Sequence, residues 1–326
     1  MSINLSKEIP MYFLKSSILA ASLMFGTLPA IAGQLHVFTS GDEGFNTHSV
    51  WYDDGYEVTV VDTQFTPQIA QQLVADIQSK TKSPITRVII THPNPDKFNA
   101  VSVFHMLGAN SIASAKTADT IPEVYAYKRY FWVEIAHVFT NETYPAIEPI
   151  KTTFSGQMVI KLKSGETISL IELKDPGVSS NQVVVRIDES GDLIVGDLVA
   201  YQAHMWLEGG IVNGKPKANI DGWKADLQQL LSLGKGTVYG GRGKFGSVSQ
   251  VVPDQIAYLE KADQIVTDYI KNLGAARQAE LTDPMAAQQH FQAIQAEFVK
   301  VFPNHKLPDL IGYGVYGLVL SKISSK

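Results

Sequence analysis

The stretch Val88-Ile89-Ile90-Thr91-His92-Pro93-Asn94-Pro95-Asp96-Lys97-Phe98 constrains the fold more than any other. Its β-branched run predicts a buried strand that ends in Thr-His. A loop stiffened by two prolines follows, and Asp96-Lys97 then opens an amphipathic helical pattern. A strand that passes through a polar loop into a helix is a building unit of layered α/β folds. Loops held at both ends in this way are where such folds place their chemistry.

The neighbouring segments extend the pattern. Alternating residues predict strands at 35–39, 47–52 and 57–61, with Asp53-Asp54-Gly55 as a hairpin turn that exploits glycine's tolerance of positive φ. Ile69, Leu73, Val74 and Ile77 fall at helical spacing over 67–80, behind a Thr66 N-cap and a first-turn proline. Helical patterns continue at 101–107 and 116–136, with a short strand at 111–113 between them. The second half repeats the layout with strands at 158–162, 167–173, 182–187, 193–195 and 237–239, and a helix at 221–233. From about Pro253 the pattern is helical, over 256–273, 284–301 and 310–323. The last of these is apolar and interrupted by glycines. It reads either as a tail packed on the core or as a lid or dimer surface. Two halves of strands closed by helices predict two sheets packed face to face with helices outside.

The N-terminus reads as a leader rather than as fold. Lys15 precedes an apolar run at 18–25, and Ala30-Ile31-Ala32 supplies a small-residue cleavage site before Gly33. The run is too short for a permanent membrane helix. The expectation is therefore a signal peptide at 1–32 and an exported protein, periplasmic or secreted, with no stable membrane anchor after cleavage. The 326 residues hold no cysteine, which excludes a disulfide framework and a thiolate metal site. The net charge of −5 argues against nucleic acid as a partner. A small-molecule ligand or substrate is expected instead, and nothing in the pattern fixes an oligomeric state.

Six features recur in order between residues 34 and 245. They are Asn46, Asp62-Thr63, the loop His92-x-Asn94-x-Asp96-Lys97, Pro176-Gly177-Val178-Ser179, Gly196-Asp197 behind an apolar strand, and Gly240-Gly241-Arg242-Gly243. Together they resemble the metallo-β-lactamase superfamily, whose loop reads His-x-His-x-Asp-His. The resemblance sharpens the layering to an αββα sandwich of two mixed β-sheets flanked by helices. That domain is expected at 33–250, with a C-terminal helical extension at 251–326.

The resemblance also implies where metals would sit. One ligand set becomes His92, Asn94, Val178 and Asp197, and the other becomes Asp96, Lys97, Asp197 and Arg242. Zinc requires three or four N, S or O donors. Val178 offers none, Asn94 is a poor one, and Lys97 and Arg242 are cations. A dication about 4 Å from a guanidinium would be repelled by roughly 8 kcal/mol at an effective dielectric near 20. The expectation is an ion-pair cluster of Asp96, Asp197, Lys97 and Arg242 in place of a dinuclear centre, with no cofactor. The alternative is a single zinc or other divalent ion on His92, Asp96 and Asp197.

The expected catalytic residues are His92, Lys97 and Arg242, and the expected binding residues are Asn94, Asp96, Asp197, His204 and Trp206. His204 and Trp206 lie on an aromatic loop just past the Gly-Asp strand and read as a pocket wall. Simpler roles stand beside these. Asp96 fits a helix N-cap, Lys97 a solvated first-turn residue, His92 a hydrogen-bonded core histidine, and Gly-Gly-Arg-Gly a plain turn. His48 reaches the same mouth only if strand register allows, and the other histidines read as structural or surface. The function implied is a divergent hydrolase-like protein acting on or binding a small carbonyl-bearing or anionic molecule. Its counterpart is an inactive relative that keeps the fold as a ligand- or protein-binding module. β-Lactamase activity itself is disfavoured, because it relies on a metal-activated water.

Overall fold

The alternating segments of the first half assemble into one mixed sheet. Strands β1 (Gln34–Thr39), β2 (His48–Asp53), β3 (Val58–Val61), β4 (Ile85–Ile89), β5 (Asn110–Ser114) and β6 (Thr152–Phe154) lie side by side in chain order. The first three are antiparallel and the last three join in parallel. Helices α1 (Pro67–Lys80), α2 (Pro95–Phe98), α3 (Val101–Met106) and α4 (Ala115–Tyr130) supply the crossovers. The computed structural model describes residues 33–283 and 285–323, so the leader pattern at 1–32 lies outside the described residues.

The second sheet takes β7 (Gln157–Lys161), β8 (Thr167–Glu172), β9 (Val183–Ile187) and β10 (Asp192–Tyr201) from the second half. A small hairpin of β11 (Gly210–Val212) and β12 (Lys215–Lys217) stands apart. After α5 (Ile220–Leu233), β13 (Thr237–Gly243) and β14 (Gly246–Ser247) complete an order of 14-13-10-9-8-7. Helices α6 (Val248–Leu273), α7 (Ala287–Val301), α8 (Asp309–Gly314) and α9 (Tyr316–Ile323) close the described chain.

Strand parity sets the layers. Val50 and Tyr52 of β2 face Ile168, Leu170, Val183 and Val185 across the gap between the sheets. Trp51, one residue out of phase, faces the other way beneath Leu73 and Ile77 of α1 and Phe104 of α3. On the far side, Leu193, Val195 and Val199 of β10 lie under Trp223 and Leu227 of α5 and under residues of α6, α7 and α9. The result is the expected αββα sandwich, with each helical layer buried by the apolar stripe that the sequence shows. The C-terminal helices share this core, and the boundary expected at 250/251 falls inside α6.

The glycines of the last segment have a packing role. A Cβ at Gly317 would fall on the Glu208 carbonyl, and one at Gly314 would stand 2.8 Å from the Trp206 ring. The apolar, glycine-interrupted tail is therefore seated against the 206–208 segment.

Candidate functional site

The loop after β4 is anchored before it does any chemistry. Asp62 and Gln64 adopt left-handed backbone conformations, with φ of 67° and 84°. They turn the chain so that the Thr63 and Gln64 amides donate to the carbonyls of Lys97 and Asp96, each at 3.0 Å. The buried Asp62 carboxylate accepts the Thr91 amide at 2.9 Å and the Thr91 hydroxyl at 2.9 Å. That hydroxyl in turn meets His92 Nδ1 at 2.9 Å, which fixes the imidazole and leaves its Nε2 facing the site. Burial pushes Asp62 up to about 7, against the opposing charge of Lys97.

Asn94, not Asp96, is the N-cap of α2, and its side chain makes no capping bond. Asp96 is the second helical residue. Its Oδ2 accepts Thr47 Oγ1 at 3.0 Å and Arg242 Nη2 at 2.8 Å, and lies 2.9 Å from Lys97 Nζ. The solvated reading of Lys97 also fails, since the residue is fully buried. Its ammonium donates to Asp197 Oδ1 at 2.9 Å.

Two longer strands deliver the other half. β10 runs well past the expected 193–195 and carries Asp197 with it, across irregular pairing at Gly196, whose φ is +50°. Gly240-Gly241-Arg242-Gly243 is not a free turn but the end of β13, with Arg242 paired to Ala200. A Cβ at Gly241 would land on Asp197 Oδ1, so the glycine makes room for the carboxylate. The Arg242 Nη1 donates to the same oxygen at 2.6 Å, and Nε donates to the Phe45 carbonyl at 2.9 Å.

Lys97 and Arg242 thus each contact both Asp96 and Asp197. Burial opposes ionisation of all four groups. The mutual contacts overcome it, holding both carboxyls below their ordinary range and both cations above theirs. His92 Nε2 and Asp197 Oδ2 are buried, have no hydrogen-bond partner and lie 3.8 Å apart. Burial lowers His92 to about 4, so the imidazole is neutral at pH 7. Of the residues implied as metal ligands, only His92, Asp96 and Asp197 present suitable donors here. One oxygen of each carboxylate is already held by two cations. Among the described residues, no group of three or more His, Cys, Asp or Glu is arranged to hold a metal ion.

The sequence profile of the metallo-beta-lactamase superfamily matches residues 42–242. This chain belongs to that superfamily. No curated protein matches it. The fold is similar to that of a metallo-beta-lactamase from Pontibacter korlensis, at 18% identity and a TM-score of 0.51, over 72% of this chain and 97% of that one. It is also similar to the DIM-1 metallo-beta-lactamase exposed to ceftazidime, at 21% identity and 0.51, over 71% and 94%. At these identities the likeness is one of fold alone.

Within this superfamily fold, Trp206 and Asn94 join the cluster at its mouth, in a narrow pocket shared with Phe45, Phe65, Lys128 and Trp132. His204 does not join it. Two residues before Trp206, it is buried between Tyr258 and Phe298, and its Nδ1 meets the Tyr258 hydroxyl at 3.1 Å. His48 bridges the sheets beside Arg242, from Thr39 Oγ1 at 2.8 Å to the Gly243 carbonyl at 3.0 Å. Val178 packs into the core.

Several participants escaped the sequence reading. Thr47 bridges Asp96 and Arg242, and its neighbour Asn46 was the only flag. Lys128 is buried in an ion pair with Glu208, whose carboxylate also accepts Trp206 Nε1 at 3.0 Å and the Tyr127 hydroxyl at 3.1 Å. A lysine on a mostly polar helix carries no sign that it will be buried.

Proposed function

We propose that this is an exported protein of the metallo-beta-lactamase fold whose site works without a metal and binds a small anionic or carbonyl-bearing molecule. One observation carries the reading. Lys97 Nζ lies 2.9 Å from an oxygen of both Asp96 and Asp197, and Arg242 spans the same two carboxylates. A divalent ion bridging those carboxylates would displace a buried ammonium and stand against a guanidinium that cannot lose its proton. The donor set therefore does not fit zinc. The four side chains sum to zero charge, which makes their burial tolerable.

Export is supported by the leader pattern at 1–32. Among the described residues no helix is long and apolar enough to cross a membrane, which is compatible with it. The acidic net charge supports a small molecule rather than nucleic acid as the partner.

A second reading, a metal-independent hydrolase, is favoured by the unpartnered His92 Nε2. A neutral imidazole with a free lone pair beside a carboxylate is placed to accept a proton, and its value of about 4 makes it a weak base. Lys97 and Arg242 would then stabilise an oxyanion, and Asp96 and Asp197 would orient them.

The two are separated by a panel of esters, lactones and β-lactams, assayed with and without added zinc. No turnover in either condition is the expected result. Turnover that is independent of zinc, and lost in His92→Gln with the melting temperature unchanged, would install the hydrolase. Turnover that requires zinc would contradict both readings.

A further inference from the structure

Gly33, the residue after the small-residue motif of the leader, ties the two sheets together at one edge. It precedes β1, the outermost strand of the first sheet, whose Leu35 pairs with Tyr52 of β2. Its backbone N–H donates to Glu166 Oε1 at 3.2 Å. Glu166 belongs to the second sheet, between the Ser164-Gly165 turn and β8. Its other oxygen accepts the Ser164 hydroxyl at 3.1 Å, and the Ser164 amide donates to Asp54 Oδ2 at 3.0 Å. Two hairpins thus aim the carboxylate at the start of β1.

The seat is shaped for glycine. A Cβ at Gly33 would lie 2.1 Å from the Tyr52 hydroxyl oxygen. Tyr52 is not free to make way, because its ring is buried between the sheets with Leu162 and Ile168.

The seat also lacks a cation. Burial, then the hydrogen bond to Glu166, hold the Tyr52 hydroxyl well above its ordinary range, and the charges of Glu166, Glu189 and Asp54 add to this. All three of those neighbours are acidic. Lys163, on the same turn, pairs with Glu57 instead, at 3.6 Å. Among the described residues no lysine, arginine or histidine pairs with Glu166. An amide N–H at Gly33 supplies a hydrogen bond without a charge. A free α-ammonium at the same atom supplies both.

We propose that Gly33 is the first residue of the mature protein and that its α-ammonium pairs with Glu166. The step is hydrolysis of the Ala32–Gly33 peptide bond by an export-associated leader peptidase. Water adds across the bond, leaving a carboxylate on Ala32 and the ammonium on Gly33. Processing therefore adds an ion pair between the sheets that the precursor lacks. This goes beyond the export reading and rests on it.

The test expresses the full chain, leader included, in an exporting bacterial host and identifies the N-terminus of the purified protein by mass spectrometry. A start at Gly33 is the expected result. The α-amine is then titrated by its rate of acylation with an activated ester, in the parent and in Glu166→Gln. A paired ammonium resists deprotonation, so at about pH 7 the parent is expected to react about threefold more slowly than the variant. Near pH 10 both amines are neutral and the rates should converge. The pH midpoint of a free peptide of residues 33–40 gives the same comparison should the variant fail to fold. Cleavage at another bond, equal rates at neutral pH, or a difference that persists in alkali would overturn the proposal and leave export standing. An uncleaved chain retained in the cytoplasm would sink the export reading with it.

Discussion

Lys97→Met is expected to destabilise the protein by about 3–5 kcal/mol in denaturant unfolding, the cost of removing one partner from a buried charge pair. The ammonium is fully buried and stands between Asp96 and Asp197. Without it, one guanidinium faces two carboxylates that burial already pushes toward the neutral form. One of them must take up a proton at neutral pH or the loop must open. Stability of the variant should accordingly improve on mild acidification. Adding Asp197→Asn restores the balance, since Arg242 still pairs with Asp96 at 2.8 Å. The double variant is expected to recover most of the loss. A loss within about 0.5 kcal/mol for the single variant would place it among ordinary surface substitutions, and the cluster could not then be the buried network described here.

The second large effect is acid sensitivity at His204. Burial first, and His305 second, hold this imidazole down at about 4. In the unfolded chain its value is about 6.5. The unfolded state therefore binds the proton more readily, and stability from this group is fully present above about 6.5 and lost as pH falls toward 4. A gap of this size is worth about 3 kcal/mol once both states have titrated. His48 and His92, also held at about 4, act in the same direction. Asp62 and Asp226, raised to about 7, act in the opposite one. Substitution isolates the single group. His204→Phe forfeits the bond to Tyr258 and is expected to be less stable at pH 7.5. Between pH 7.5 and 4.5, however, it should lose about 2–3 kcal/mol less than the parent. Unfolding curves whose stability differs by the same amount at every pH would show that His204 does not titrate as a buried neutral group.

Local pattern carried most of the fold. The Pro67–Lys80 helix behind Thr66 was legible because its apolar spacing, cap and first-turn proline agree, and the Thr66 hydroxyl does accept the Ile69 amide at 3.3 Å. The strands that read short were the glycine-bearing ones. Gly196 in β10 and Gly240-Gly241 in β13 resemble turn residues, but here they admit Thr91, Asp197 and a neighbouring backbone at distances no Cβ allows. β6, at three residues, is too short to show a period.

The candidate site was legible where it followed one ordered set of markers. His92, Asp96, Lys97, Asp197 and Arg242 do converge. It was illegible where distant segments meet. Phe45, Trp132, Trp206 and Tyr313 share no local motif, and only the packed sheets and the returning tail bring them together. His204 was misplaced for the same reason. Closeness to Trp206 in sequence says nothing of which side of the chain each faces, and the side was set by Tyr258 and Phe298 from the last helices.

Two cations, Lys97 and Arg242, hold the carboxylates that the superfamily's pattern would assign to metal. The most direct measurement is metal content per chain, by elemental analysis, on protein made without an affinity tag or chelator and dialysed against trace zinc, iron and manganese. Near-zero occupancy is the expected result. Stoichiometric metal that is lost in His92→Ala or Asp197→Ala would contradict it, and Lys97 and Arg242 would then have to leave the carboxylates they hold.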